Sequence, residues 1–62
     1  MNGYLDGNEL KRAKMLVNEI DDFMNSIRNE VNQDRAYTRY LNEKVNGVIM
    51  DINCLKTMIE EN

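Results

Sequence analysis

The stretch Val31-Asn32-Gln33-Asp34-Arg35-Ala36-Tyr37-Thr38 decides how this chain folds. On either side of it, apolar residues recur at alternating spacings of three and four. Before it come Leu10, Ala13, Val17, Ile20, Met24, Ile27 and Val31. After it come Leu41, Val45, Val48, Ile52, Leu55 and Ile59. The phase runs unbroken through Asp34 and Thr38 to Asn62, so thirteen of sixteen positions are apolar. This is a heptad seam, with Leu10 at a and Ala13 at d, and such a seam is buried against another helix.

Two structures compete at the midpoint. A buried Asp is costly unless paired, so Asp34 interrupts the seam. Asn32 or Asp34 can end one helix and cap the next. That predicts an all-α antiparallel hairpin in one domain, residues 1–62, with helices over about 7–32 and 35–60 and a turn near 32–35. The alternative is one continuous coiled-coil helix, favoured by the unbroken phase and by the lack of Gly or Pro. It would be roughly 80 Å long at 1.5 Å per residue. A break at Asn46-Gly47 would make a three-helix variant. The heptad continues across that dipeptide, however, so it reads as a helix tolerating a glycine at about 1 kcal/mol.

The first helix has a clear start. Asp6 and Glu9 form a capping box, and Leu5 with Leu10 is spaced as a hydrophobic staple. Leu16 and Phe23 fall at g, which widens the stripe beyond a and d. A wide stripe suits a bundle of several helices better than a two-stranded coil. A core in 62 residues rarely supplies more than about 3–5 kcal/mol. With one Cys and no His there is no disulfide or usual zinc site to add to it. Self-association into a homodimeric four-helix bundle is therefore expected. Its seam would be Leu10, Val17, Ile20, Met24, Ile27, Val31, Leu41, Val45, Val48, Ile52, Leu55 and Ile59.

Charge narrows the function. The net charge is −3, and the eight basic residues are diluted among eleven acids, which disfavours nucleic acid as a partner. No apolar run reaches a membrane span, no leader pattern opens the chain, and Met1-Asn2-Gly3 lacks a myristoylation pattern. The expected location is the cytoplasm, where a lone thiol, Cys54, stays reduced. Ten Asn with no Pro and no His is a composition common in AT-rich genomes, and it suits a phage or mobile element.

No catalytic, metal or cofactor motif stands out, and a hairpin has no room for a pocket with convergent polar groups. The contact-prone residues are the basic island Arg35, Tyr37, Arg39 and Tyr40, which has hot-spot composition, and Met15 and Met50 at the outermost f positions. Structurally, the Tyr residues could simply pad a hairpin end while the Arg residues pair with Glu30, Asp34 and Glu43. The acidic group Glu19, Asp21 and Asp22 reads first as a solvated face. In size and class alone the chain resembles short helical hairpins among bacterial regulatory inhibitors, such as small sporulation-phosphatase and kinase-binding proteins. The expected function is a non-enzymatic inhibitor or adaptor that docks on a larger protein. The alternative is a purely structural oligomerisation or assembly-chaperone protein.

Overall fold

A computed structural model describes residues 3–61. The chain forms two helices, α1 (Gly7–Val31) and α2 (Thr38–Glu61), packed as an antiparallel hairpin. Its Cα extents are 48 × 14 × 13 Å, well short of the ~80 Å of a continuous helix. Asn46 and Gly47 lie inside α2, so there is no third helix among the described residues. Asn62, the last position of the seam, and the opening Met1-Asn2 fall outside the described residues.

The start of α1 is built as its residues dictate. The Glu9 backbone N–H donates to Asp6 Oδ1 at 2.8 Å, and the Asp6 N–H donates to Glu9 Oε1 at 2.9 Å. Two donors that the helix leaves unpaired are satisfied reciprocally. Asp6→Ala is expected to cost about 0.5–2 kcal/mol in a urea titration followed by circular dichroism. A change within error would mean that Leu5 and Tyr4 hold the helix start instead.

The bend is longer than the sequence suggests, and α2 starts at Thr38 rather than near 35. Asn32 does end α1, with its N–H reaching the Arg28 carbonyl at 3.1 Å. Asp34 stays in the turn and does not begin α2. The half-buried Glu30 reaches across the bend, and its Oε1 accepts the Tyr37 N–H at 2.9 Å. The Tyr37 carbonyl then accepts the Leu41 N–H at 3.0 Å and opens α2. A carboxylate from α1 thus satisfies a donor at the start of α2, a task the sequence had suggested for Asp34.

The helices meet through d and g rather than a and d. Ala13 and Val48 at d and Met58 at g are the most buried apolar residues. Leu16, Ile20, Phe23, Ile27, Leu41 and Leu55 are half-buried around them. No described side chain is fully sealed from solvent. The expected twelve-residue seam is therefore divided. Ile20, Ile27, Leu41, Val48 and Leu55 serve the hairpin itself, and the a positions do not.

Candidate protein-binding surfaces

The a residues left over form one face. Leu10, Val17, Met24, Val31, Val45, Ile52 and Ile59 are 41–57% exposed, and Ile49 at e joins them at 50%. In an antiparallel pair packed through d and g, the two helical wheels turn in opposite senses. Their a positions therefore fall on the same side, and their c positions on the other. The groove on the c side is lined from both helices, by Asn8, Glu9 and Arg12 and by Asn53, Cys54, Thr57, Met58 and Glu61. With Phe23 set against Gly47, the register places Val17 opposite Ile52, Met24 opposite Val45 and Leu10 opposite Ile59. The result is an apolar ladder two helices wide, running about 30 Å from Leu10 to Val31 at 1.5 Å per residue. At the far end of the hairpin, Tyr4, Leu5 and Ile59 line a shallow hollow with Gly3.

The charges divide in the same way. On the apolar side, at e, stand Lys14, Arg28 and Lys56, against Asp21, while Lys11, Arg39 and Glu60 lie at b, on the back of the hairpin. Lys56 and Glu60 pair at 3.8 Å, both largely exposed. On the other side, at c, f and g, stand Glu9, Glu19, Asp22, Glu30, Glu43, Asp51 and Glu61, against Arg12 and Lys44.

One acid on that side is misplaced by ordinary rules. Asp51 is only 9% exposed, and its Oδ2 is buried with no hydrogen-bond partner. It faces Glu19, whose carboxyl is held above the usual 4.5. The causes, largest first, are a hydrogen bond shared with Asp51, the Asp51 charge, some loss of hydration, and Asp22. That hydrogen bond needs a proton on one of the two carboxyls, so none exists between them when both are ionised. The acidic group read from the sequence is exposed throughout, and of its members only Glu19 is paired with the Asp51 carboxyl.

One turn before Asp51, Gly47 packs against Phe23. A Cβ on Gly47 would lie 2.7 Å from Phe23 Cζ and 2.9 Å from Cε2, so the phenyl ring occupies the space a side chain would need. Lys44 lays its ammonium over Phe23 and Tyr40, at 5.6 and 5.2 Å from the ring centroids. Such contacts attract the ammonium to the ring faces while the half-buried stem lies along apolar surface.

The residues singled out by sequence do not form one site. Arg35 lies in the turn, Tyr37 closes it at 64% exposure, and Arg39 and Tyr40 begin α2. Glu30 takes the Tyr37 N–H, and no ion pair of Arg35 or Arg39 with Glu30, Asp34 or Glu43 is formed. Met15 and Met50 are 65% and 68% exposed. Met15 lies sixteen residues before the end of α1, roughly 24 Å from the turn. They sit at f, away from the apolar ladder. Cys54 is a free, exposed thiol in the polar groove. Sequence reasoning missed the Phe23–Gly47 contact and the burial of Asp51. The available signal was a g position facing a helical glycine.

No described helix is long and apolar enough to cross a membrane. The chain matches no protein-family model, no curated protein and no solved structure.

Proposed function

We propose that this chain is a small, non-enzymatic protein-binding hairpin, an inhibitor or adaptor that docks on a larger protein through its apolar ladder. The observation that carries this is the division of the heptad. Five seam residues hold the hairpin together, while seven a residues and Ile49 stand exposed on one side. Burying them is worth about 25 cal/mol per Å² of apolar area removed from water, and contiguous apolar patches of this kind mark interaction surfaces. The composition fits a phage or mobile-element protein acting inside a bacterial host. A second reading, a structural protein whose ladder closes a homodimeric four-helix bundle, draws on the same face and on the well-matched helix lengths of 25 and 24 residues.

Two double variants locate the working surface. Val17→Glu with Ile52→Glu puts charge in the middle of the ladder. Tyr37→Ala with Arg39→Ala strips the turn. Docking by the ladder predicts that the first loses more than about 2 kcal/mol of affinity for a cross-linked host partner, the scale of a hot spot, with unchanged helicity. The second should lose less. The opposite order would move recognition to the Arg35, Tyr37, Arg39 and Tyr40 end. If neither variant changes capture, but the first alone turns a dimer into a monomer in sedimentation, the structural reading takes over.

A further inference from the structure

We propose that the occupant of the apolar ladder is an acidic-edged helical surface of another protein, and not a second copy of this chain. The inference rests on reading the ladder as a docking face. Its basis is the sorting of charge by side. Three cations, Lys14, Arg28 and Lys56, border the ladder at e against one acid, Asp21, and Lys56 also pairs with Glu60 on the back of α2. The chain is acidic as a whole, yet this side of it is basic.

A second copy meets this edge badly. Two copies can stack ladder to ladder about a twofold axis running along the hairpin or across it. The first arrangement lays α1 over α2 and brings Lys14 of one copy level with Lys56 of the other. The second lays α1 over α1 and sets Lys14 against Arg28. Each opposes cation to cation around an apolar centre, the arrangement that suppresses wrong partners. A partner with Asp or Glu flanking a Leu/Ile stripe meets the same edge with opposite charge, and the flat two-helix width offers a groove for an amphipathic helix. An anionic membrane shares the charge but fits the ladder poorly. The face is aliphatic and lacks the Trp and Phe that seat interfacial helices, the single Phe being used at Gly47.

Two synthetic helical peptides test this. They share one Leu/Ile heptad stripe and differ only in flanking residues, Glu in one and Lys in the other. Binding to the full chain is read by fluorescence anisotropy at two salt concentrations. Vesicles of phosphatidylcholine with phosphatidylglycerol and sedimentation of the chain alone run beside it. The Glu-flanked peptide should bind about tenfold tighter or more, from several edge pairs of modest individual worth, and the gap should narrow with salt. Lys14→Glu, Arg28→Glu and Lys56→Glu together should reverse the preference while leaving helicity unchanged. Equal binding of the two peptides overturns the proposal, as does vesicle binding tighter than that of either peptide. A tight dimer that Ile52→Glu dissociates overturns the acidic partner but leaves the docking face standing. Binding of neither peptide, with no self-association, overturns the docking face itself.

Discussion

Gly47→Leu is expected to destabilise the hairpin by up to about 2 kcal/mol and to lower its melting temperature, although leucine is the better helix former by roughly 1 kcal/mol. The reason is the Phe23 ring, which lies where the new Cβ must go, 2.7 Å from Cζ, with the branched end of leucine still to be placed. Overpacking of this kind costs about 1–3 kcal/mol and occasionally more. A single core of this size supplies only about 3–5 kcal/mol. Thermal melts by circular dichroism give the answer. The smaller step, Gly47→Ala, sets propensity against crowding in one residue, so its sign should depend on the ring. In a Phe23→Ala background the crowding is gone, and Gly47→Ala should stabilise by about 1 kcal/mol. If Gly47→Leu melts like the parent, the ring swings aside freely and the Phe23–Gly47 contact does not set the helix separation.

The second large effect concerns Asp51. Asp51→Asn keeps the shape, removes a buried charge whose Oδ2 has no partner, and supplies an amide that can donate to the Glu19 carboxylate. It should stabilise the hairpin by about 1–3 kcal/mol at pH 7. It should also change the pH profile. Glu19 has its folded-state value raised above 4.5, chiefly by the hydrogen bond with Asp51. A folded carboxyl that holds its proton more tightly than the unfolded one stabilises the fold in acid. That contribution is complete below 4.5 and is lost as pH rises through the raised value. The parent should therefore gain stability from this pair between neutral pH and about 4.5, and Asp51→Asn should gain less. Urea titrations of both proteins at the two pH values measure the difference. An equal acid response in parent and variant would dismiss the Glu19–Asp51 pairing.

Local signals in the sequence were strong where a few neighbouring residues decide the outcome. Asp6 and Glu9 specify their own hydrogen bonds, so the start of α1 was legible to the residue. The interruption at Asp34 was enough to place the bend. The rotation of one helix against the other was not legible, because it depends on which side of the d stripe packs. From Leu10 onward the a positions are apolar except for Thr38, whereas g includes Glu9, Glu30, Lys44 and Asp51, so a looked like the buried partner of d. The structure shows why g is tolerated. Glu9 is engaged in the capping box, Glu30 holds the Tyr37 N–H, and Lys44 lies over two rings. Only Asp51 is buried without such a solution. What tips the rotation is long-range steric fit, Phe23 into the space over Gly47, and periodicity carries no record of that. The candidate binding face shared this blind spot: its residues were visible as apolar, but their exposure followed only from the rotation.

The six-residue bend also governs the order in which the hairpin can assemble. Every contact between α1 and α2 closes a chain loop through residues 32–37, and the loops grow steadily away from it. Phe23 and Gly47 are 24 residues apart, whereas Arg12 and Thr57, which line the groove near the other end, are 45 apart. Each doubling of a loop adds about 0.6 kcal/mol of closure entropy. The molecule therefore zips from its bend outward, with the phenyl ring seating early and the capped end docking last. The same gradient runs in reverse during opening. The open end breathes first, although it carries the best local cap, and the clamp between Glu30 and Tyr37 is the last tertiary contact to yield.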